Sequence, residues 1–169
     1  SCKPQDPYGI AKYSAELLLH NLASIHKVDL TVAVPHNIIG PRQKYDDPYR
    51  NVASIMINLM LQGRQPIIYG DGSQVRCFSD INDDIGCLAQ LAFSDKAVGE
   101  TFNIGPDEEA VTILELSTRI AKIIGFDLDP VFVPDRPQEV KFATCSANKI
   151  RDYFGFETKV TLDHSLERM

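Results

Sequence analysis

Apolar residues recur at helical spacing after residue 7. Ala15, Leu18, Leu19, Leu22, Ala23 and Ile25 fall on one side, with Glu16 and Ser24 on another. This predicts an amphipathic helix of about five turns. Asp6 is a good N-cap, and Pro7 suits the first helical position, where its missing N–H loses no bond. Residues 28–34 (VDLTVAV) are rich in β-formers and read as a buried strand stopped by Pro35. Residues 36–50 hold Gly40-Pro41, Asp46-Asp47-Pro48 and several charges, and read as a loop. Helical periodicity returns over 51–61 and ends near Gly63. A strand at 66–69, a tight turn at Gly70-Asp71-Gly72 and a return strand at 74–79 read as a hairpin. Further helices are predicted at 81–93, 112–124, 146–154 and 162–168, with strands at 100–104 and 130–134. Thr112 with Glu115 three residues on reads as a capping box. Strands alternate with helices almost throughout, which predicts an α/β architecture.

At 169 residues the chain has the size of one domain and can bury a real core. No apolar run approaches ~20 residues, so no membrane span is expected, and no signal-peptide pattern opens the chain. The net charge of −6 argues against a general nucleic-acid binder. An acidic chain can still hold an anionic ligand if its arginines gather. Cys2, Cys77, Cys87 and Cys145 are dispersed with no Cys-x-x-Cys pair. That weighs against zinc and for half-buried cytosolic thiols. The first residue is Ser, so a processed chain or a piece of a longer one is expected.

The chemistry starts at Tyr8-Gly9-Ile10-Ala11-Lys12. In a helix, Tyr8 and Lys12 share a face about one turn apart. A phenol with a pKa of ~10 is a poor base near neutrality. A neighbouring cation favours the phenolate. A drop of ~3 units takes ~4 kcal/mol, which an ammonium and a cationic cofactor ring could share. The product is a general base. The plainer reading is a packed tyrosine with a snorkelling lysine. The glycines never fall at the spacing of a dinucleotide-binding turn or a Walker loop.

Four motifs occur in order: Pro7-Tyr8-Gly9-Ile10-Ala11-Lys12, then Asn37-Ile38-Ile39-Gly40-Pro41-Arg42, then Tyr69-Gly70-Asp71-Gly72-Ser73-Gln74-Val75-Arg76, then Phe102-Asn103-Ile104-Gly105. Together they resemble the C-terminal half of an extended short-chain dehydrogenase/reductase of the NAD-dependent sugar-nucleotide epimerase/dehydratase type. The resemblance implies the last part of a Rossmann-type parallel sheet plus a smaller mixed α/β substrate-binding domain. Residues 1–35 would be the tail of the NAD-binding domain. Residues 36–169 would be mainly the sugar-nucleotide domain, with some segments returning to the first. The glycine-rich turn would belong to an N-terminal half.

Carried over by position, the resemblance makes Tyr8 the catalytic base and Lys12 its partner, both also touching NAD. Pro35 and His36 would line the nicotinamide side, and many relatives have an aromatic residue where this chain has His36. Asn37 would contact the substrate diphosphate, and Asn51 and Val52 would open a helix over the nucleotide. Ile67 and Tyr69 would flank the base, with the tyrosine ring available for stacking. Arg76 and Arg136 would hold the diphosphate. Glu139 would accept from ribose hydroxyls, although many relatives have Gly-Asp where this chain has Gln138-Glu139. Read singly, Arg76 could be a solvated strand residue, Arg136 could pair with its neighbour Asp135, Tyr69 could be core, and Arg42 and Arg50 could go either way.

The family chemistry is transient oxidation of a sugar at carbon four. The small Ala143, four residues after Glu139, implies an epimerase tolerant of N-acetylated sugars, of the UDP-glucose/UDP-N-acetylglucosamine 4-epimerase kind. A dTDP-glucose 4,6-dehydratase or UDP-glucuronate decarboxylase relative is the second expectation, and a non-catalytic nucleotide-sugar-binding remnant the third. A cytoplasmic homodimer is implied, with no metal, no nucleic acid and no membrane partner. This piece alone is expected to be inactive and to expose apolar surface on its first helix and strand.

Overall fold

The computed structural model describes residues 3–4, 6–47, 51–137 and 139–169. The readings made on Ser1, Cys2, Arg50, Gln138 and the end of the 36–50 loop lie outside them.

Asp6 caps α1 (Pro7–His26), its Oδ1 accepting from Gly9 N at 2.6 Å, and Lys27 closes the helix in the left-handed region. β1 (Val32–Pro35) pairs in parallel with β6 (Thr101–Ile104), so both strands end at the same edge. β2 (Ile38–Ile39) pairs in parallel with β5 (Ser79–Asp80). α2 (Val52–Leu61) precedes β3 (Ile67–Tyr69), which pairs in parallel with β8 (Val131–Val133). β4 (Val75–Cys77) is the centre of a three-stranded sheet, antiparallel to β7 (Ala110–Thr112) and parallel to β9 (Phe142–Ala143). The remaining helices are α3 (Ile81–Ala92), α4 (Ile113–Ile124), α5 (Asn148–Phe154) and α6 (Leu162–Arg168). The capping box on α4 has both halves, Glu115 N to Thr112 Oγ1 at 3.1 Å and Thr112 N to Glu115 Oε2 at 2.7 Å. Among the described residues, no helix is long and apolar enough to cross a membrane.

The fold is mixed α/β with parallel strand pairs, as the alternation predicts. Four local expectations are corrected. The strand expected over 28–34 begins only at Val32, and β1 is half-buried because β6 is its sole paired neighbour among the described strands. Segments 66–69 and 74–79 do not form a hairpin, since β3 and β4 pair with different strands. The 74–79 run breaks at Phe78, where the chain leaves the β4 sheet for β2. Short strands β2, β7 and β9 lie where a loop or nothing was expected. Two or three residues are too few to carry an alternation pattern.

Helix α1 exposes the apolar surface expected of it, although its apolar residues extend beyond one face. It buries none of its side chains, and Ile10, Leu17, Leu18, Leu19, Leu22 and Ile25 are all exposed. Leu17 places apolar surface outside the stripe read from the sequence.

Two apolar cores form. One joins α2, α4 and α6 through Met56, Met60, Leu116, Ile120, Leu162 and Leu166, with Ile68 and Phe78. The other lies between α3, β6 and α5 and centres on Phe102, whose ring meets Tyr153 and Phe154 edge-on at 5.3 and 5.6 Å. Buried carboxylates lie at β5 and α3. Asp80 caps α3 through Asn82 N, and its Oδ2 accepts from Ser165 Oγ at 2.7 Å, which ties α6 to β5.

Asp84 is fully buried, and burial raises its pKa to about 6. Ser79 Oγ lies 2.8 Å from Asp84 Oδ2 and 3.0 Å from His36 O. One hydroxyl carries one hydrogen. A protonated Asp84 can donate to Ser79 and free that hydrogen for His36 O. The folded chain therefore holds this proton more tightly than the unfolded chain, where an aspartate titrates near ~3.9. The resulting stability is complete below pH ~4 and lost as pH rises through about 6. Asp84→Asn is expected to raise unfolding free energy by about 1–3 kcal/mol near neutral pH and to have little effect near pH ~4. Urea denaturation at the two pH values checks this.

Candidate functional site

The N-terminus of α2 is held from two directions. Asn51 accepts from Ala53 N at 2.9 Å, and Ser54 Oγ lies 2.9 Å from Asn51 O and 3.0 Å from Lys44 O. This fixes one wall of a cavity of about 340 Å³, where Asn51, Val52, Ile55, Met56 and Leu59 face inward. The opposite wall comes from Ile67 and Tyr69 on β3 and Arg76 on β4, with Phe78 and Ile113. Arg136 and Glu139, from the segment between β8 and β9, close it. Asn37 borders it too. Its backbone is left-handed (φ 45°), and its Nδ2 donates to Cys77 O at 2.8 Å.

The polar groups are arranged in pairs. Arg76 Nη2 lies 3.5 Å from Glu139 Oε1, with both side chains mostly buried. Burial lowers the Arg76 pKa, and Glu139 opposes that shift. Glu139 Oε2 is buried without a hydrogen-bond partner and is an available acceptor. The Arg136 guanidinium stacks 3.9 Å above the Tyr69 ring centroid. One face of that ring is therefore covered, so the ring expected to be available for stacking is open on one side only. Asp135, the neighbour that could have neutralised Arg136, pairs instead with Lys141 at 3.0 Å. The site joins an apolar floor to two guanidinium groups and an unsatisfied carboxylate oxygen. That combination suits a flat ring joined to a polyanion.

The cavity gathers Asn37, Asn51, Val52, Ile67, Tyr69, Arg76, Arg136 and Glu139, which the sequence scatters over a hundred positions. Ala143 does not line it but pairs with Arg76 in the β4–β9 register. Pro35 ends β1, and His36 N donates to Ile104 O at 2.9 Å just past it. Tyr8 and Lys12 lie one turn apart on exposed α1, Tyr8 at 72%, and are not among the residues lining the cavity. Arg42 is exposed and lies outside it as well.

Gln74 was missed. It is 1% exposed and lines the cavity, its Nε2 donates to Tyr69 O at 2.7 Å, and its Oε1 has no partner. The available signal was its spacing. Residues two apart on a strand share a face, so Gln74 accompanies Arg76.

A family model described as GDP-mannose 4,6 dehydratase matches residues 1–169. The chain belongs to this family. A UDP-glucose 4-epimerase of Mycolicibacterium smegmatis is 29% identical over 98% of the chain and 52% of its own length. A dTDP-glucose 4,6-dehydratase of Streptomyces niveus is 32% identical over 96% of the chain and 47% of its own. The structure of UDP-glucuronic acid 4-epimerase from Bacillus cereus, in complex with UDP-glucuronic acid and NAD, has a TM-score of 0.91 at 28% identity. It is matched over 99% of the chain and 52% of its own. The structure of UDP-glucose 4-epimerase with UDP-glucose from Thermotoga maritima has a TM-score of 0.87 at 35% identity, over 98% and 52%. These relatives are the nucleotide-sugar epimerases and dehydratases that the four motifs resemble. The chain spans about half their length.

Proposed function

We propose that this chain is the nucleotide-sugar-binding part of an NAD-dependent 4-epimerase acting on UDP-glucose or UDP-N-acetylglucosamine through a 4-keto sugar. The observation that carries the reading is the convergence of Arg76, Arg136, Asn37 and the capped α2 N-terminus on one cavity with an apolar floor. The guanidinium groups and the α2 N–H groups hold the diphosphate. Ile67 and the open face of Tyr69 flank the base. Glu139 Oε2 accepts from a ribose hydroxyl.

Tyr8 and Lys12 fit the ribose end of NAD. A hydroxyl and an ammonium stand exposed on one turn of α1, the donor set that a ribose diol takes. Pro35 and His36 border the nicotinamide at the end of β1, where ligands of parallel sheets bind. NAD, when held there, would supply a reversible hydride acceptor for carbon four of the sugar. Tyr8 takes the proton of the carbon-four hydroxyl and gives it back, with Lys12 one helical turn away as its partner. Tolerance of an N-acetyl group rests on the small Ala143, which stands opposite Arg76 in the β4–β9 register and outside the cavity lining.

Residues 1–35 are read as the tail of the NAD-binding domain and 36–169 as mainly the substrate domain. The second core, which joins β6 to α3 and α5, suits the segments that return to the NAD-binding domain. The exposed apolar faces of α1 support a homodimer, and a cytoplasmic location belongs to the same proposal.

A second reading, a dTDP-glucose 4,6-dehydratase or UDP-glucuronate decarboxylase relative, is favoured by the 32% identity to the Streptomyces dehydratase. Turnover by the whole protein decides between them. Interconversion of UDP-N-acetylglucosamine with its carbon-four epimer supports the epimerase. Activity on dTDP-glucose without it supports the dehydratase.

A further inference from the structure

Cys77 and Cys145 take no part in the proposed reaction, yet they meet beside His36. β4 and β9 run parallel with Arg76 opposite Ala143; Cys77 ends β4, and Cys145 lies two residues past the end of β9. Cys77 Sγ lies 3.9 Å from Ala143 O. A β-carbon added to Gly105 would lie 3.7 Å from Cys145 Sγ and 3.1 Å from His36 Cβ, so thiol and imidazole border one spot. Cys77 is buried, Cys145 is half-buried, and both are free thiols. His36 Nε2 is sealed from solvent without a hydrogen-bond partner.

The three groups tune one another. The neighbouring Cys145 thiol, and after it the His36 ring, hold the Cys77 sulfur well below the ordinary thiol range, against the opposing effect of burial. Cys145 keeps the proton of the pair, so its own pKa rises, with burial adding to the rise. The Cys77 thiol and the Ala143 carbonyl raise His36, against burial and Arg76. The pair is therefore a buried thiolate with a thiol on one side and a protonatable imidazole on the other. Among the described residues, no His, Cys, Asp and Glu group is arranged to hold a metal ion.

We infer that Cys77 and Cys145 form a reversible oxidation site that a small hydroperoxide closes to a disulfide, with His36 as proton donor. The Cys77 sulfur attacks one oxygen of hydrogen peroxide and the O–O bond breaks. The departing hydroxide takes a proton from His36 and leaves as water, and Cys77 becomes a sulfenic acid. The Cys145 sulfur then displaces the sulfenic hydroxyl, which leaves as water with the Cys145 proton. Two thiols lose two electrons and two protons, and one peroxide becomes two waters. Cys87 is an internal control, since burial pushes its thiol up to about 11 and leaves little thiolate.

The test treats the whole protein with hydrogen peroxide, blocks remaining thiols under denaturing conditions, and maps peptides without reduction. The expected product is a Cys77–Cys145 linked peptide that dithiothreitol removes, with Cys87 blocked as a free thiol. In Cys145→Ser, dimedone is expected to label Cys77. His36→Gln is expected to slow linkage about tenfold. Recovery of both Cys77 and Cys145 as free thiols, or oxidation of Cys87 ahead of them, would overturn the site. Linkage in His36→Gln at the unaltered rate would overturn the proton donor.

Discussion

Arg76→Ala is expected to weaken UDP binding by about 100-fold, about 2.7 kcal/mol. Two losses combine. The guanidinium proposed to meet the diphosphate disappears, and a charge-assisted bidentate contact is among the strong ones. Glu139, left without its partner at 3.5 Å, also becomes an uncompensated and mostly buried negative charge facing a polyanion. The same imbalance is expected to lower the folding stability of Arg76→Ala measurably. Arg136→Ala separates the two effects. Arg136 is exposed and rests on Tyr69 rather than in an ion pair with Asp135. Its loss is expected to reduce UDP affinity about tenfold while the melting temperature stays within about 2 °C. Calorimetric titration and thermal unfolding of both variants in the whole protein check the pair. Equal affinities for UDP before and after Arg76→Ala would remove the diphosphate from this cavity.

Tyr8→Phe is expected to reduce kcat about 10³-fold and to leave nucleotide-sugar affinity within about twofold. The variant removes one oxygen from a side chain that stands exposed on α1 and is not a lining residue of the cavity. Its folding is therefore expected to be unaffected. A drop in kcat with unchanged affinity is the signature of a group that acts on the reacting atoms. A drop in affinity alone would assign Tyr8 to binding. Lys12→Met is expected to lower kcat by a smaller factor and to weaken NAD as well, because the same ammonium is proposed to serve both Tyr8 and the NAD ribose.

The longer helices were legible because they are capped by side chains the sequence displays. Asp6 and Pro7 mark the start of α1, and Thr112 with Glu115 marks the start of α4, by local bonds that a sequence displays directly. The sheet was less legible. β2, β7 and β9 span two or three residues each, and their partners lie tens of residues away. The β3–β4 hairpin failed because Gly70-Asp71-Gly72 makes a turn whatever the strands do next, while β8 and β7 compete successfully for them.

The cavity residues were reached through motif resemblance, since single arginines and tyrosines carry no address. Gln74 escaped because a glutamine reads as surface. Only the register that turns it inward with Arg76 reveals an unpartnered acceptor. The Cys77–Cys145 contact was invisible because 68 positions separate the two residues and only the β4–β9 pairing joins them.

A crystal structure of the whole protein with UDP at saturation tests the account most directly. The account predicts the diphosphate between the guanidinium groups of Arg76 and Arg136, with uracil against Ile67 and the free face of Tyr69. Nucleotide density outside this cavity, or a cavity left empty while the protein remains folded, would contradict it.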